Sequence, residues 1–390
     1  MKSINELDIT NKTVLIRFDY NVPINKGKII NDFRIKASFE TINYCLSQNA
    51  SIVIMSHLGR PDGHNSELSL KPIQKYLNKY YKNKIYFSDD CISSESIDIS
   101  KSLKPGQIHL LENLRFYKQE TDNNKEFSKK LSKHANIYVC DSFGTSHRSH
   151  ASNSKILNFF EYRCIGLLMI KEFDFLHLKK SLGTGIIIGG AKISTKIKMI
   201  NFFLDNADSI FIGGAMAFTF LKSKGLNVGL SMVENDMLDI AKEIIEKSKL
   251  INKKIILPID VVCVKNNIDS NKIFIKNINN LEDNDIGLDI GPQTIKIFNH
   301  KINNLDTIIW NGPLGLFENK NFSHGTIKMS RFLKKMKNII TIIGGGDTVS
   351  AIEMYDTLNG FSHVSTGGGA SLKLLSGEKL NLTKSWEMYK

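Results

Sequence analysis

The stretch Ile342-Ile343-Gly344-Gly345-Gly346-Asp347-Thr348-Val349-Ser350-Ala351 predicts a strand, a tight loop and a helix in immediate succession. The two isoleucines are typical of the end of a buried strand, and the three glycines let the backbone turn sharply and approach a ligand. Backbone N–H groups and the positive end of the dipole attract anions to a helix N-terminus. The stretch therefore predicts an anion site, for which phosphate is the usual occupant.

Asp347 places one carboxylate beside this predicted anion site. A carboxylate is repelled by a bound phosphate unless a cation lies between them. Mg²⁺ is commonly held by one or two carboxylates together with the phosphate oxygens of a substrate. The sequence therefore indicates a site for a Mg²⁺-nucleotide.

The same pattern of apolar strand, glycine loop and helix start occurs four times in the second half of the chain. The four copies lie at residues 186–192, 210–215, 342–351 and 364–370. One such loop would be weak evidence, because most glycine turns only reverse the chain direction. Four loops at the ends of four strands are expected to share one edge of a parallel sheet. Open α/β sheets bind their ligands at that carboxyl edge.

The length and composition favour a two-domain globular protein. At 390 residues the chain exceeds the size at which one core normally keeps growing, and its hydrophobic content is an ordinary 42%. It contains no apolar run of about 18 residues, and residues 1–6 lack the apolar core of a signal peptide. We therefore expect a cytoplasmic protein without membrane contact. The five cysteines are widely spaced and form no CxxC pair, so they are interpreted as reduced core residues.

The distribution of arginine is more informative than the net charge of +13, which shows no separate basic block of the kind that binds nucleic acid. Only seven of the 52 basic residues are arginine, and six of these lie within residues 1–163. An arginine retained in a lysine-rich chain is expected where a planar, two-pronged donor is needed for phosphate or carboxylate. Arg17, inside a predicted strand, and Arg163 are instead expected to form structural ion pairs.

Polar and basic side chains follow the predicted strands of the first half. Asp19 and Asn21 follow strand 13–18 and either contact a hydroxylated ligand or close the turn, which is the simpler interpretation. His57 and Arg60 follow strand 51–55 and could clamp an anion, although a lone histidine is more often a packing residue. Arg115 follows strand 108–111.

Two more basic features belong to the same half. Arg34 opens a helix predicted to run through Leu46, and Arg148 lies on the loop after strand 137–140. His147 and His150 have a spacing that could suit a metal, but no further ligand is evident, so structural or hydrogen-bonding roles are preferred. The first half thus carries basic groups at its strand ends, and the second half carries glycine loops.

The order of elements predicts an α/β fold of two Rossmann-like domains with parallel sheets joined by a central helix and hinge. Residues 167–180 form one predicted amphipathic helix between the two sets of strands, which makes it the connector. Residues 376–390 follow the last predicted helix and have no obvious place in its sheet.

Other nucleotide-binding classes fit the sequence less well. A dehydrogenase needs a glycine fingerprint after the first strand and an acidic residue about 20 positions on, and neither is correctly placed. Residues 185–192 resemble a P-loop, but no hydroxyl residue follows the lysine directly. A non-catalytic scaffold would be expected to have lost Arg34, Lys192 or Asp347, and all three are present.

The chain resembles the phosphoglycerate kinase family from end to end. The resemblance rests on eight stretches in the family's order: residues 17–23, 56–61, 111–116, 141–152, 189–192, 310–313, 344–348 and 366–370. It implies a 3-phosphoglycerate-binding domain at 1–170 with the tail 376–390 packed back on it, a helix and hinge at 171–185, and a nucleotide-binding domain at 186–375. It also implies reversible transfer of the acyl phosphate of 1,3-bisphosphoglycerate to MgADP in glycolysis, by a monomer.

The resemblance implies a role for each matching position of the first domain. Arg60, Arg115 and Arg148, with His57, would hold the phosphate end of 3-phosphoglycerate. Arg34 would face the carboxylate that gains or loses the phosphoryl group. The hydroxyl and carboxyl side of the substrate would meet Asp19 and Asn21.

In the second domain, the resemblance implies that Asp347 binds Mg²⁺ and that Lys192 accompanies the moving phosphoryl group. It assigns the amide of Gly368 a catalytic role beside Arg34 and Lys192. The matching nucleotide-binding positions are Lys196, Gly213, Gly214, Asn311, Glu318, Gly345, Gly346, Asp347 and Thr348. Closure of the two domains would align the substrates and exclude water.

The chain departs from the family pattern at a few positions beside these stretches. Phe18 and Tyr20 are larger or more polar than the usual aliphatic residues, Cys140 replaces an asparagine, and Ile170 replaces a residue that is often acidic. None removes a charged contact, so we expect effects on local packing.

Overall fold

The computed structural model describes residues 1–82, 85–176, 183–252 and 254–389. The chain divides into two compact units, here called unit 1 (Met1–Leu176 with Lys379–Lys390) and unit 2 (His177–Glu378). Among the described residues, no helix combines the length and apolar character needed to cross a membrane.

The strands, in chain order, are β1 (Thr13–Phe18), β2 (Ile24–Asn25), β3 (Lys28–Ile29), β4 (Ser51–Met55), β5 (Ile85–Ser88), β6 (Ile108–Leu111), β7 (Ile137–Asp141), β8 (Tyr162–Ile165), β9 (Thr184–Ile188), β10 (Ser209–Ile212), β11 (Lys254–Ile256), β12 (Asp260–Lys265), β13 (Phe274–Asn277), β14 (Asp285–Ile290), β15 (Thr307–Asn311), β16 (Ile340–Gly344) and β17 (His363–Val364).

The α-helices are α1 (Phe33–Ala37), α2 (Phe39–Ser47), α3 (Lys71–Tyr81), α4 (Ser94–Ser102), α5 (Lys118–Thr121), α6 (Lys125–Leu131), α7 (Leu167–Leu176), α8 (Ile197–Asn206), α9 (Met216–Ser223), α10 (Leu238–Leu250), α11 (Pro292–Ile302), α12 (His324–Lys335), α13 (Gly346–Tyr355), α14 (Gly369–Leu375) and α15 (Asn381–Met388).

Unit 1 is built on a six-stranded sheet in the order β5-β6-β4-β1-β7-β8, in which every neighbouring pair is parallel. Its central strands β1 and β4 are buried along almost their whole length because both faces of a parallel sheet are covered, and they are mostly apolar. The direction of winding reverses between β1 and β7. Ligands of doubly wound sheets bind at the carboxyl ends of strands beside such a reversal.

Unit 2 carries a second parallel sheet, in the order β11-β10-β9-β15-β16-β17. Counting only its own strands in sequence, this is the order 3-2-1-4-5-6 that is common to dinucleotide-binding folds. The reversal lies between β9 and β15. An antiparallel sheet, β13-β12-β14, is added beside it. The predicted α/β class with two parallel sheets is confirmed.

Most predicted elements lie where the periodicity placed them, with three differences. The helix predicted from Arg34 through Leu46 is two helices that meet at Ser38. The connector helix predicted for 167–180 is described as α7 up to Leu176, and the remainder of that prediction, 177–180, lies outside the described residues. The antiparallel sheet of unit 2 was not predicted, because its strands are short and separated by polar loops.

The bulky residues beside the first strand are part of the unit 1 core. The rings of Phe18 and Tyr20 stack with centroids 5.5 Å apart, and both are buried. The Tyr20 hydroxyl lies 2.9 Å from the Ser38 hydroxyl, which satisfies both polar groups. These residues therefore fill space and cap the junction of α1 and α2.

The C-terminal helix α15 contacts the loop that follows β7. The backbone N–H of Leu382 donates to the carbonyl of Ser146 over 2.9 Å, and the Asn381 amide donates to the Ser149 hydroxyl over 3.3 Å. The two contacts bracket the position of Arg148 on that loop. Residues 379–389 thus hold a segment of unit 1 that bears one of the predicted site arginines.

Two strand aspartates, here called the buried carboxyls, accept hydrogen bonds from the first turns of helices. Asp141 accepts a hydrogen bond from the N–H of Met169 in α7, and Asp289 accepts one from the N–H of Gly325 in α12. Burial raises the pKa of Asp141 to about 7 and that of Asp289 to about 8. Each therefore binds a proton in the folded chain at a pH where the unfolded chain has released it.

Four histidines of unit 1, here called the buried histidines, show the opposite shift. They are His57, His109, His134 and His150. Burial lowers the pKa of His109 and His150 to about 3 and that of His134 to about 4, and it lowers the pKa of His57 well below 6.5. All four are neutral at physiological pH.

Candidate functional site

The loop after β1 carries a carboxylate and an amide that are tied to α1. Arg34 donates from Nη1 to Oδ2 of Asp19 and to the carbonyl oxygen of Asn21, each over 3.1 Å. Asp19 is buried, whereas Arg34 keeps 26% of its side chain exposed. The salt bridge therefore fixes the guanidinium at the carboxyl end of β1 while part of it stays accessible to a ligand.

Gly59 joins this group to the arginine that follows β6. Its N–H donates to Oδ1 of Asn21 over 2.9 Å, and its carbonyl accepts from Nη1 of Arg115 over 2.6 Å. Its φ of +64° is a backbone conformation that residues other than glycine rarely adopt. The predicted residues Asp19, Asn21, Arg34 and Arg115 thus belong to one hydrogen-bonded set.

Arg115 is held in place by its own strand-end turn. The Asn113 side chain accepts from the Arg115 N–H over 3.0 Å and donates to the carbonyl of Leu58 over 2.8 Å. Arg115 is only 6% exposed, yet its Nε and Nη2 are buried without a hydrogen-bond partner. Burial, with the nearby charges of Arg17 and Arg148, lowers its pKa to about 10, so the group stays charged at neutral pH.

An unpartnered buried guanidinium is costly unless a ligand completes it. Arg115 lines a pocket of about 480 Å³ together with Arg60 and Arg148. The lining is completed by Pro61, Asp62, Gly63, Lys118 and Thr121. Three guanidinium groups and one ammonium group around a small pocket suit an anion with two negative charges, such as a phosphate monoester.

The structure brings all seven predicted substrate residues of unit 1 to the carboxyl edge of its sheet. His57 follows β4 and lies 3.8 Å from Oδ1 of Asp19 through Nδ1. Arg148 donates from Nε to Nε2 of His147 over 3.2 Å. Arg60 is the exposed member of the set.

Unit 2 holds a second and larger pocket of about 580 Å³ at the reversal between β9 and β15. Three of the predicted nucleotide residues line it, namely Gly214, Glu318 and Asp347. Most of the remaining lining is apolar or glycine: Gly190, Ala191, Ala215, Leu230, Met232, Ile268, Ile286, Gly287, Leu288, Pro313, Gly315, Leu316 and Phe317. A mostly apolar pocket that also contains Glu318 and Asp347 suits a purine base with its ribose and phosphates.

Glycine is required where the loops of this pocket cross. Gly214 has a φ of +64°, and a Cβ there would meet the backbone of Gly190 and, at 2.9 Å, the carbonyl oxygen of Pro313. Three strand ends can approach this closely only because no side chain stands between them. Gly213 is packed behind this crossing against Leu314.

Lys196 and Asn311 form a polar pair beside the glycine loop at 344–347, here called the phosphate loop because phosphate is its predicted occupant. The Lys196 ammonium donates to the Asn311 side-chain oxygen and to its carbonyl oxygen, the latter over 3.1 Å. Burial lowers the pKa of Lys196 to about 8, and Asp347 partly opposes the shift. Nδ2 of Asn311 is buried without a partner and would lie 3.1 Å from a Cβ on Gly345. Both side chains therefore keep donor capacity beside the loop.

The Thr348 hydroxyl binds two loops of the protein, although its position beside residues 345–347 suggests contact with a ligand. The hydroxyl accepts from the N–H of Gly312 over 2.6 Å and donates to the carbonyl of Gly344 over 2.9 Å. The side chain is fully buried, so the hydroxyl joins the phosphate loop to the loop after β15. Only the Thr348 backbone remains for a ligand.

Asp347 lies in the first turn of α13, with its carboxylate exposed toward the pocket. In the described parts of the chain, no three His, Cys, Asp or Glu side chains are grouped closely enough to bind a metal by themselves. The donor set is thus one carboxylate, which suits Mg²⁺ that keeps waters and phosphate oxygens as its other ligands. The residues fit the predicted Mg²⁺-nucleotide and do not fit a structural metal.

The remaining predicted positions lie on the loops near this pocket. Gly346 begins α13 with open space around it, and Gly368, with a φ of +48°, precedes α14. Lys192 is exposed on the loop after β9. Neither Lys192 nor Gly368 belongs to the lining of the pocket in the part of the chain that the structure describes.

Sequence reasoning missed the apolar wall of the unit 2 pocket. Leu230, Met232 and Ile268 are each more than 40% exposed although they are large and apolar. They come from two separate loops, one with Leu230 and Met232 and one with Ile268, and no periodicity marks them. These residues can be recognised only from the folded structure, in which their exposed apolar side chains line the same pocket.

Both units combine a doubly wound sheet with a pocket at its carboxyl edge, one arginine-rich and one glycine-lined. Together they define a nucleotide-dependent enzyme of the phosphotransferase class. A family model for phosphoglycerate kinase matches residues 4–378. The chain belongs to the phosphoglycerate kinase family, and it is therefore a kinase of glycolysis.

Individual relatives agree with the family assignment over nearly the whole chain. The phosphoglycerate kinase of Finegoldia magna is 45% identical over 387 residues, covering 97% of each chain. That of Pseudothermotoga lettingae is 42% identical over 386 residues, covering 97% of this chain and 96% of the relative. The solved phosphoglycerate kinase of Coxiella burnetii has a TM-score of 0.88 at 36% identity and covers 100% of this chain and 99% of its own.

Proposed function

We propose that the chain catalyses reversible transfer of the acyl phosphate of 1,3-bisphosphoglycerate to MgADP, with unit 1 binding the glycerate and unit 2 binding the nucleotide. The observation that carries this proposal is Arg115, a buried guanidinium with two unpartnered nitrogens in a pocket shared with two further arginines. Such a group is stable in the fold only if its usual partner is a strongly charged anion. A phosphate monoester supplies that charge.

In unit 1, the phosphate end of 3-phosphoglycerate would occupy the pocket of Arg60, Arg115 and Arg148. Asp19 and Asn21 would then accept and donate hydrogen bonds at the hydroxyl and carboxyl side. Arg34 would meet the reacting carboxylate, because its salt bridge with Asp19 fixes it on that side of Gly59. A guanidinium there offsets the charge of an acyl phosphate in both directions of the reaction.

In unit 2, the base would lie in the apolar pocket against Gly214, with Gly213 packed behind that loop, and the ribose would lie beside Glu318. The phosphates would follow the amides of Gly345 and Gly346, with Lys196 and Asn311 below them. Asp347 would hold Mg²⁺, which neutralises phosphate charge when it is bound. Lys192 and the Gly368 amide would accompany the transferring group.

Direct phosphoryl transfer requires no enzyme nucleophile, only alignment of the donor and acceptor oxygens and neutralisation of spreading charge. The two sites lie on different units, so the bound ligands must come together during the catalytic cycle. We propose closure of the units about the segment 171–185 as the step that aligns them. Water is excluded at that stage, which protects the acyl phosphate from hydrolysis.

The test is a substrate panel in the direction of ADP formation. The purified chain with MgATP should consume 3-phosphoglycerate, and glycerate, which lacks the phosphate for the arginine pocket, should support far slower turnover. Gel filtration alongside the assay would test the proposed monomer, and the proposed location of the enzyme is the cytoplasm. Equal rates with both acids, or no turnover of 3-phosphoglycerate, would exclude the proposed function.

A further inference from the structure

Arg17 is a charged side chain that lies wholly inside unit 1 and lines neither pocket. Its exposure is 0%, and it sits on β1 behind the Asp19 turn. Nε donates to the Ser152 hydroxyl over 2.9 Å, and Nη1 donates to the carbonyl of Phe18. Glu120, also fully buried, lies 4.0 Å from Nη2. The guanidinium is therefore held from three sides.

The remaining Arg17 contact is to the ring of His57. Nη2 lies 3.0 Å from Nδ1 of His57. A guanidinium can only donate hydrogen bonds, so a bond of this length requires an unprotonated Nδ1 with its lone pair directed at Arg17. The proton of a neutral imidazole must then be on Nε2.

The charges around His57 oppose a second ring proton. Four cationic or basic groups face it: Arg17 from β1, Arg34 from α1, Arg115 from the turn after β6 and His150 from the loop after β7. One acid, Asp19, lies 3.8 Å from Nδ1, but Nδ1 already accepts a shorter hydrogen bond from Arg17. Burial and the four neighbours lower the pKa of His57 well below 6.5.

We propose that Arg17 is a positioning residue that holds His57 as a neutral imidazole with its proton on Nε2, ready to donate one hydrogen bond to an oxygen of the bound phosphoglycerate. This rests on the proposed function for the identity of the acceptor. No ring nitrogen other than Nε2 is available for a ligand, because Nδ1 is occupied inside the protein. Without Arg17 the ring could take the other tautomer, which presents an acceptor to the anion and repels it.

The Glu120 side chain explains how a buried cation can serve this purpose. Its carboxylate accepts from the Ser152 N–H over 2.9 Å and from the Ser152 hydroxyl over 2.6 Å. The hydroxyl proton is thereby committed to Glu120, which leaves the Ser152 oxygen to accept from Nε of Arg17. Arg17 is thus the common donor of the group: Nη2 donates to Nδ1 of His57, and Nε donates to the Ser152 hydroxyl, which in turn donates to Glu120.

The direct test uses the unmodified chain. Histidine is labelled with ¹⁵N, and long-range ¹H–¹⁵N correlation spectra are recorded between pH 8 and pH 5, with His57 assigned by comparison with His57→Gln. We expect Nδ1 of His57 to have the shift of an unprotonated nitrogen and Nε2 that of a protonated one across this range. A proton on Nδ1, or a ring that becomes charged above pH 5, would overturn the proposal.

A variant pair measures the consequence for substrate binding. Arg17→Met combined with Glu120→Gln removes the donor without leaving a buried charge unpaired. Arg163→Met is the control, because it removes an arginine of unit 1 that donates to the carbonyls of Leu157 and Phe160. The double variant should show mixed or titrating His57 signals, a KM for 3-phosphoglycerate raised about 10-fold or more and newly dependent on pH, and an unchanged KM for ATP. A purely structural role predicts reduced thermal stability with the wild-type tautomer and pH profile, and that result would refute the proposal.

Different results would refute the proposed function and the proposed role of Arg17. If His57 carries its proton on Nε2 but the wild-type chain does not turn over 3-phosphoglycerate, the proposed function is wrong. If turnover is normal but Nδ1 carries the proton, only the role of Arg17 is wrong. If the double variant does not fold, the spectra of the wild-type chain still decide.

Discussion

The Arg115→Met substitution separates ligand binding from stability more sharply than any other single change in unit 1. The methionine side chain fills much of the same space but has no donors. In the free protein the arginine makes one hydrogen bond, to the Gly59 carbonyl, and leaves Nε and Nη2 buried and unpartnered. The substitution should therefore have opposite consequences for the free and ligand-bound protein.

For binding, two charge-assisted hydrogen bonds to a phosphate are lost, each worth about 1.5–3 kcal/mol. The affinity for 3-phosphoglycerate should thus fall by about 100-fold or more. For stability, the lowered pKa of about 10 for a guanidinium corresponds to roughly 3 kcal/mol of charge-burial cost that the variant no longer bears. Loss of the bond to Gly59 costs about 1.5–3 kcal/mol. The two nearly cancel, so Tm should change by only a few degrees.

Isothermal titration calorimetry with 3-phosphoglycerate and a thermal unfolding curve measure both quantities on the same samples. Arg163→Met is the matched control, because Arg163 donates to the carbonyls of Leu157 and Phe160 and does not line the pocket. The control should lose stability and keep its affinity for 3-phosphoglycerate. An Arg115→Met variant whose affinity stays within three-fold of wild type, while its Tm falls sharply, would show that the arginine is structural.

Three further predictions concern unit 2 and the whole chain. Lys192→Ala should slow phosphoryl transfer by about 100-fold while ADP affinity stays near wild type. A large loss of ADP affinity with normal kcat would contradict the proposal that this lysine accompanies the transferring group. Thr348→Ser should keep wild-type ADP affinity, whereas Thr348→Val should weaken it about 10-fold by releasing the phosphate loop; equal affinities would mean that the hydroxyl does not hold the loop. The free energy of unfolding in urea should be greatest near pH 6.5. Below that pH the unfolded chain takes up protons at the four buried histidines, which outnumber the two buried carboxyls, so stability falls as the pH is lowered. Between pH 6.5 and about pH 8 the folded chain loses the protons of the buried carboxyls, so stability falls as the pH is raised. A curve that rises steadily from pH 5 to pH 8 would contradict the assigned shifts.

The strand ends of both units could be predicted from sequence because their signals are local. A run of β-branched residues followed by glycines or by an arginine specifies a strand and a loop within about ten residues. Asp19 and Arg115 were placed at strand ends in this way, and Arg34 was placed at a helix start; the structure joins the three through Asn21 and Gly59. Parallel sheets bring such loops to one edge whatever the strand order, so that order did not have to be known.

The interactions behind and around the loops depend on tertiary packing and could not be read from the sequence. Arg17 was expected to be a structural ion pair, and Glu120 does lie near it, but its contact with His57 joins β1 to the loop after β4. Thr348 resembled a ligand residue because of its neighbours, whereas its hydroxyl turns inward to Gly312. Which way a short side chain points is decided by the packing of neighbouring loops, and no local pattern encodes it.

The most direct measurement is ATP formation from 1,3-bisphosphoglycerate and MgADP by the wild-type chain and by Arg34→Ala, with ADP affinity measured for both. If a phosphoryl group is transferred between an acid bound by the arginines and a nucleotide bound by the glycine loops, the wild-type chain should turn over rapidly. The same mechanism predicts kcat lowered by about 100-fold or more in the variant, because a charged contact to the reacting group is lost, and unchanged ADP affinity. Turnover by Arg34→Ala within a few-fold of wild type, or no ATP formation by the wild-type chain, would contradict it.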